Sequence, residues 1–309
     1  MIDTLIEKIK EKNAPVCVGL DPVADFIPEH IKEKAFGKKG QNAEALAEAF
    51  LEFNKRIIDC VYDLVPAVKP QIAMYEELGV SGIDAYIRTC AYAKNKGLVV
   101  IGDVKRGDIG STSRAYANAH IGKVNIEGKE ISTFDADFAT VNPYMGSDGI
   151  DEFLKCCSEY DKGIFVLVKT SNPSSAELQD LKVGDDTIYE IVAKKVNEWG
   201  SGLKGRSGYS RVGAVVGATY PEIGKKLRKL MPDTYFLVPG YGAQGASGKD
   251  LKEYFNVDGL GAVINSSRGI IAAYKKDEYS SFGEEAFGDA ARQATVDMIK
   301  DLRDHCTGN

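Results

Sequence analysis

The sequence has few of the residues that build metal sites and disulfide frameworks. It contains six cysteines and three histidines in 309 residues. The cysteines form no CxxC pair and the histidines are scattered along the chain, so no zinc-ligand spacing is present. We therefore expect a protein that works in the reducing cytoplasm without a bound metal.

Excess positive charge and long apolar runs are also missing. Lysine and arginine total 39 against 45 acidic residues, a formal net charge of -6, which argues against general affinity for nucleic acid or anionic membranes. No apolar run is long enough to cross a bilayer. Residues 1–13 place apolar side chains at helical spacing between charges, which is unlike a signal peptide. An anionic ligand would have to be bound by a local group of residues.

What the sequence does have is a repeating alternation of short apolar segments and helical patterns. Polar residues follow the carboxyl end of the apolar segments, which predicts an α/β fold of the (β/α)8 TIM-barrel class. A doubly wound open sheet is the alternative, but no GxGxxG fingerprint follows the first strand. The eight predicted strands are 14–22, 65–72, 98–105, 138–143, 163–171, 212–218, 235–242 and 261–267.

We expect residues 1–309 to form one domain, since no linker or change of composition divides them. The barrel is predicted to carry an additional N-terminal helix before its first strand. Three polar segments are interpreted as loop insertions, at 23–41, 122–135 and 172–186. The first is predicted to contain a helical turn and the second a β-hairpin, and the third is a candidate lid.

The densest group of charged residues lies in 98–116, LVVIGDVKRGDIGSTSRAY. Because side chains alternate across a strand, Asp103 and Lys105 are predicted to share one face. Asp108 follows after a turn, which gives Asp-x-Lys-x-x-Asp at the end of a strand. Two nearby carboxylates favour a charged ammonium, so Lys105 is predicted to act as an acid and not as a Schiff-base nucleophile. A surface ion-pair network is the alternative explanation, but the apolar strand before the motif favours a site.

Polar residues at other strand ends extend this candidate site, because the active site of a TIM barrel lies at the carboxyl ends of its strands. The loops after the seventh and eighth strands, 239–246 and 265–271, combine glycines with Arg268. TIM barrels often bind phosphate at this place, and exposed amides with an arginine suit a dianion. A tight turn explains the glycine loop alone, whereas its pairing with Arg268 favours phosphate. The strand-end candidates are Asp21, Lys69, Asp103, Lys105, Asp108, Asn142 and Ser171.

Six segments, found in this order, resemble orotidine 5′-phosphate decarboxylases of the longer bacterial type. They cover nearly the whole chain, and the DxKxxD motif in its context is the most specific of them. The resemblance implies decarboxylation of orotidine 5′-phosphate to uridine 5′-phosphate, the last step of UMP synthesis, with no cofactor. The segments are VGLDP at 18–22, VKPQ at 68–71, IGDVKRGDIGST at 101–112, KTSNP at 169–173, VPGYGAQG at 238–245 and SSRGI at 266–270.

The resemblance implies catalytic roles for four residues. Lys105 would lie against C6 of the orotate ring, stabilise the carbanion left as CO₂ departs, and protonate it. Asp103 would lie beside the substrate carboxylate, and Lys69 would complete the charge network. Asp108 would be contributed across the interface of a homodimer into the site of the second subunit.

The same resemblance implies contacts to each part of the substrate. Asp21 would hold ribose hydroxyls together with Lys69, Ser171 would bond the amide edge of the pyrimidine, and Arg268 would bind the phosphate. The implied substrate-binding residues are Asp21, Thr112, Asn142, Ser171, Pro239, Tyr241, Gln244 and Arg268.

Three other functions stay open. A related barrel lyase acting on a sugar phosphate would use the acids of DxKxxD to hold Mg²⁺. A Schiff-base aldolase would use Lys69 or Lys169 as its nucleophile. A non-catalytic barrel that binds a phosphate ligand is the third alternative, although binding alone needs no cluster of acids and bases.

Some conspicuous residues are interpreted as structural. His120 follows the helix after the third strand and is interpreted as part of a loop. The basic run Lys225, Lys226, Arg228 and Lys229 is interpreted as the solvated face of a helix.

Overall fold

The structure is a computed structural model that describes residues 1–242 and 245–306. Eight parallel strands close into a barrel, in which each strand pairs with its neighbours along the chain and the last pairs with the first. This arrangement confirms the predicted (β/α)8 fold. The strands are β1 Val16–Leu20, β2 Ala67–Pro70, β3 Val99–Arg106, β4 Phe138–Val141, β5 Gly163–Lys169, β6 Ser210–Val216, β7 Thr234–Pro239 and β8 Ala262–Ser266.

Helices surround the barrel. The helical segment between β2 and β3 is divided in two, because Gly79 adopts the left-handed φ of 61° and interrupts it. None of the helices in the described ranges combines the length and apolar character that a membrane crossing needs. The helices are α1 Ile2–Lys12, α2 Glu29–Lys39, α3 Ala43–Val61, α4 Ala73–Glu76, α5 Gly79–Asn95, α6 Gly110–His120, α7 Ser147–Glu159, α8 Ile188–Gly200, α9 Pro221–Leu230, α10 Gly248–Leu251, α11 Arg268–Ile271 and α12 Phe287–His305.

The three insertions contain secondary structure of their own. The first includes α2, which is eleven residues long and therefore more than the predicted helical turn. The second contains the predicted hairpin, in which Val124–Ile126 pairs antiparallel with Lys129–Ile131. The third combines a 3₁₀ helix, Pro173–Glu177, with two short antiparallel strands at Lys182–Val183 and Asp186–Thr187. The candidate lid is thus a folded segment.

Apolar side chains fill both the barrel interior and the layer between strands and helices. The apolar face of α1 belongs to the interior cluster, where it packs with residues such as Cys17 and Phe138. Since α1 ends just before β1 begins, it covers the mouth of the barrel at the amino ends of the strands. The carboxyl ends are the side on which polar side chains gather. The buried residues of α1 are Ile2, Leu5, Ile6 and Ile9.

Two polar residues lie in places that the sequence did not predict. Lys225, Lys226 and Lys229 are exposed, as predicted for a solvated helix face, but Arg228 of the same run is 7% exposed. Its guanidinium donates to the carbonyl oxygens of Thr234 at 2.8 Å and Gly261 at 2.7 Å, so it ties α9 to the starts of β7 and β8. His120, predicted to be a loop residue, is the last residue of α6 and stacks on the ring of Phe134 with 4.7 Å between centroids.

Candidate active site

A bulge in β3 sets the direction of the Lys105 side chain. The register of β3 with β4 shifts in this stretch, and Lys105 adopts a left-handed φ of 45°. Thr140 of β4 accepts hydrogen bonds at 2.9 Å from the backbone amides of both Val104 and Lys105. The Lys105 side chain is 45% exposed, whereas that of Asp103 is 10% exposed. The Asp103 and Lys105 side chains are in contact, as predicted. The bulge in β3, and not strand alternation alone, determines this contact.

Asp103 is the centre of the site, because four side chains donate to its carboxylate. Lys69 Nζ lies 2.7 Å and Gln71 Nε2 lies 3.0 Å from Oδ2. Lys105 Nζ and Thr140 Oγ1 both donate to Oδ1, the latter at 3.0 Å. Burial alone raises the pKa of Asp103, but the two ammonium groups lower it well below its usual range. The carboxylate is therefore ionised and held in one orientation.

Lys69 lies beneath this carboxylate and links it to a second acid. Its side chain is 4% exposed, and its Nζ lies 3.9 Å from Asp21 Oδ1. Burial alone lowers the pKa of Lys69, but Asp103 and Asp21 raise it above its usual range. The neighbouring Cys17 is buried, which raises the pKa of its thiol to about 12 and keeps it neutral. Two ammonium and two carboxylate groups thus alternate across the site.

A cavity of ≈ 400 Å³ opens above these residues, a volume in the range of small-ligand sites. Its lining joins the charged residues at the ends of β1, β2 and β3 to the loops after β7 and β8, so the two halves of the predicted site meet in one space. The predicted residues that line it are Asp21, Lys69, Asp103, Pro239, Tyr241 and Arg268. Gln244 lies outside the described residues.

The hydroxyl of Tyr241 has a partner on α12. It donates to Asp301 Oδ2 at 2.7 Å, and that oxygen also accepts from the backbone amide of Gly248 at 2.7 Å. Burial and the adjacent carboxylate raise the pKa of Tyr241, so the hydroxyl stays protonated. In this conformation Tyr241 contributes to the cavity wall while its hydroxyl holds the loop after β7 to α12.

Five of the predicted residues are absent from the cavity lining. Lys105 reaches the site only through its contact with Asp103, and the other four are Asp108, Thr112, Asn142 and Ser171. Asp108 accepts a hydrogen bond from the backbone amide of Ile109 at 2.7 Å, and within the described residues no bond joins it to Lys105. Thr112 is exposed in the first turn of α6, and Asn142 is exposed after β4. Large apolar side chains are exposed around them, at Ile109, Tyr144 and Met145.

The end of β5 places Ser171 and Lys169 differently. Ser171 is half-buried and lies against the end of β6, where a Cβ on Gly217 would come within 2.8 Å of its own Cβ. Lys169 is buried and forms an ion pair with Asp180 at 2.6 Å, so its ammonium is held by the insertion 172–186. Lys69 is likewise paired, which argues against a Schiff-base role for either lysine.

Three polar residues around Asp103 and the cavity were not individual sequence candidates. Gln71 and Thr140 bond directly to Asp103, and Asn265 lines the cavity floor at the end of β8. Each is a polar residue at the carboxyl end of an apolar strand, which is the signal that could have identified them. In the described part of the chain, histidine, cysteine and acidic side chains form no group of three or more suited to a metal ion.

Comparison with known proteins identifies relatives of the whole chain. Residues 14–279 match the family model described as orotidine 5′-phosphate decarboxylase / HUMPS family. The orotidine 5′-phosphate decarboxylase of Petrotoga mobilis is 46% identical over 305 residues, covering 98% of each chain. That of Caldicellulosiruptor bescii is 45% identical over 285 residues, covering 92% of this chain and 93% of the relative. The structure of Leishmania donovani OMP decarboxylase aligns with a TM-score of 0.69 at 32% identity, covering 94% of this chain and 98% of the other.

Proposed function

Because the chain belongs to the orotidine 5′-phosphate decarboxylase / HUMPS family, we propose that Lys105 is the acid of the reaction that it catalyses, the decarboxylation of orotidine 5′-phosphate to uridine 5′-phosphate. The observation that carries this assignment is the chain of contacts from Lys69 through Asp103 to Lys105. It ends in a half-exposed ammonium bonded to Asp103, and Asp103 lines a cavity that also contains the loops after β7 and β8.

The chemistry requires a fixed positive charge beside the reacting carbon. When the bond between C6 and the carboxylate breaks, CO₂ leaves and the electron pair stays on C6, where it is poorly delocalised. The Lys105 ammonium stabilises this charge and then transfers a proton to C6, after which solvent reprotonates the amine. Its position is set before substrate binds, since Asp103 and the bulge in β3 already orient it.

Asp103 positions Lys105, and Lys69 keeps Asp103 ionised. Both carboxylate oxygens of Asp103 already accept from an ammonium group. A divalent cation would have to displace one of these lysines, which weighs against the alternative of a Mg²⁺-dependent sugar-phosphate lyase. The same saturation argues against a merely ligand-binding barrel, because a binding site gains nothing from an ammonium held between acids.

The substrate would extend from the charged cluster to the loops after β7 and β8. We assign the ribose hydroxyls to Asp21 and Lys69, the pyrimidine amide edge to Ser171, and the phosphate to Arg268. Binding energy from the phosphate, far from the reacting carbon, would then orient the ring over Lys105. The loop residues Pro239, Tyr241 and Gln244 complete the proposed phosphate site.

We further propose a homodimer in which Asp108 and Thr112 of each subunit complete the site of the other, with Asn142 at the same rim. The support is that these residues lie outside the cavity of their own chain and beside exposed Ile109 and Tyr144. Mixing inactive Lys105→Ala and Asp108→Ala variants after joint refolding tests this. Mixed dimers contain one intact site, so roughly a quarter of the parent activity should return. No recovery would mean that Asp108 acts within its own chain, and an active Asp108→Ala variant would mean that it has no role.

The reaction itself is tested by following the loss of orotate absorbance when purified protein is mixed with orotidine 5′-phosphate. We propose turnover without a cofactor by a cytoplasmic enzyme whose residues 1–309 form one domain. Full activity in EDTA is expected, whereas inactivation by EDTA would favour the Mg²⁺-dependent lyase. Trapping of a substrate adduct with borohydride would instead favour the aldolase.

A further inference from the structure

We propose that Lys169, Gln179 and Asp180 are positioning residues that fix Ser171 for recognition of the substrate base. They join the insertion 172–186 to the end of β5, immediately before Ser171. This inference rests on the proposed function, in which Ser171 bonds the pyrimidine. It makes the insertion a preformed support for the base-binding residue.

A second bulge explains why Lys169 faces the insertion. Leu167 pairs with Val215 of β6, but Lys169 pairs with Val216, so β5 contains one extra residue at this point. Leu167 packs against the barrel interior, and simple alternation would bring Lys169 to the same face. The bulge turns it away from the cavity, and its Nζ lies 5.6 Å from the centroid of the Tyr189 ring at the start of α8.

Lys169, the last residue of β5, and Thr170, which follows it, both bond to the insertion 172–186. Lys169 Nζ bonds Asp180 Oδ1 at 2.6 Å and Ser175 Oγ at 3.2 Å. The backbone amide of Thr170 donates to Gln179 Oε1 at 3.0 Å, and Gln179 Nε2 donates back to Thr170 Oγ1 at 2.8 Å. Since Lys169 is 2% exposed, its charge depends on Asp180 for compensation inside the protein.

Ser171 is confined from the opposite side by β6. The backbone amide of Gly217 donates to the Lys169 carbonyl at 2.8 Å. A Cβ on Gly217 would lie 2.8 Å from the Ser171 Cβ and 2.9 Å from its backbone nitrogen, which is too close for any side chain. The serine is therefore held between the insertion on one side and the end of β6 on the other.

Loss of the Asp180 charge should release this serine and leave the rest of the site intact. An uncompensated Lys169 ammonium would move toward water and lift the insertion from β5. The residues assigned to ribose and phosphate lie on β1, β2 and the loops after β7 and β8, so they would keep their places. Contact with the base should weaken while contact with the sugar phosphate does not.

The test compares Asp180→Asn with the matched control Asp186→Asn, using uridine 5′-phosphate and ribose 5-phosphate as calorimetric ligands. Asp186 belongs to the same insertion and pairs with Lys194, but it does not bond to β5. We expect Asp180→Asn to bind uridine 5′-phosphate about 10- to 100-fold more weakly and ribose 5-phosphate as tightly as the parent does. The control should bind both ligands normally.

Gly217→Ala provides a second variant, because its methyl group displaces Ser171 without touching the ion pair. It should show the same selective loss for the nucleotide. Unchanged nucleotide binding in Gly217→Ala or Asp180→Asn would overturn the inference, and so would an equal loss for both ligands, which indicates general distortion. If the proposed function itself is wrong, the parent protein will not convert orotidine 5′-phosphate. That outcome differs from a failure of the positioning role, in which the parent is active and the variants bind both ligands normally.

Discussion

Two clusters, each of two lysines and two aspartates, lie at opposite ends of the barrel, and three members of one of them line the ≈ 400 Å³ cavity. They are built from the same residue types, so composition alone does not make a catalytic site. The cluster at the carboxyl ends, the catalytic cluster, is Asp21, Lys69, Asp103 and Lys105. The cluster at the amino ends, the structural cluster, is Lys94, Asp135, Asp137 and Lys162.

In the structural cluster every ammonium lies between two carboxylates. Lys94 Nζ is 2.5 Å from Asp135 and 3.5 Å from Asp137, and Lys162 Nζ is 3.0 Å and 3.3 Å from the same two residues. The second oxygen of Asp137 accepts from the backbone amide of Val100 at 2.9 Å. The charges compensate each other and fasten α5 to the starts of β3, β4 and β5.

The catalytic cluster differs at its outer member. Within the described residues, Lys105 forms an ion pair with Asp103 alone, and nearly half of its side chain is exposed. Its ammonium is therefore accessible from outside the protein while it contacts a residue that lines the cavity. An incomplete set of partners beside a cavity distinguishes a reactive ion-pair network from a stabilising one, in agreement with the roles of the two ends of TIM barrels.

Replacing one lysine in each cluster should give the largest contrast. Lys105→Ala removes both the charge beside C6 and the proton donor, so we expect kcat to fall by at least about 10³-fold with little change in the free energy of unfolding. Lys94→Ala is the matched control and should keep the parent kcat while lowering stability. Steady-state kinetics and urea unfolding on both variants measure this; comparable kcat values would remove the distinction between the clusters.

Removing one carboxylate from the structural cluster should lower the free energy of unfolding without changing catalysis. Asp137→Asn leaves the buried Lys162 and the half-buried Lys94 with one partly exposed carboxylate between them, and we expect the free energy of unfolding to fall by ~3 kcal/mol. Urea denaturation measures the loss, and KM and kcat below the transition should match those of the parent. A change in KM would mean that the two ends of the barrel are coupled.

Acid should weaken the amino end of the barrel through His120, which stacks beside the structural cluster on Phe134. Burial, with a smaller contribution from Arg106, lowers the pKa of His120 to about 3 from 6.5. Below pH 6.5, His120 binds a proton in the unfolded chain but stays neutral in the folded chain. The stability present above pH 6.5 is therefore lost as the pH falls toward 3, by up to ~1.4 kcal/mol per pH unit. His120→Leu should flatten this slope in urea titrations between pH 6.5 and 4, and an unchanged slope would assign it to other groups.

The smallest effect is expected at Cys17, which lies under the catalytic cluster without taking part in it. Burial raises the pKa of its thiol to about 12, so the folded protein should not react with thiol reagents at this position. Cys17→Ser should leave kcat within about twofold of the parent value. A larger loss of kcat would mean that Cys17, one layer deeper in the barrel, also contributes to catalysis.

The features predicted from the sequence are those that local patterns determine. Strand-end position and alternation were enough to place Asp21, Lys69, Asp103 and Lys105 together, because the carboxyl ends of all barrel strands meet on one side. The two bulges were not predicted, since they depend on the register with neighbouring strands. They determine the directions of Lys105 and Lys169, so the distinction between a reactive and a structural lysine is a tertiary property.

Burial that arises from distant segments was also missed. Arg228 belongs to a run of basic residues that is typical of an exposed helix face. It is buried because carbonyl groups at Thr234 and Gly261, brought close by the barrel, accept its donors. No pattern within α9 carries this information.

The left-handed backbone at Lys105 restricts which mutations evolution can sample there. Branched residues such as valine or isoleucine are disfavoured at a φ of 45°, while glycine and asparagine adopt it readily. A descendant that lost the lysine would most easily acquire one of these two residues and would keep an intact barrel without its acid. Catalytically silent homologues of this chain are therefore expected to carry glycine or asparagine at that position, which offers a simple marker for recognising them in genomes.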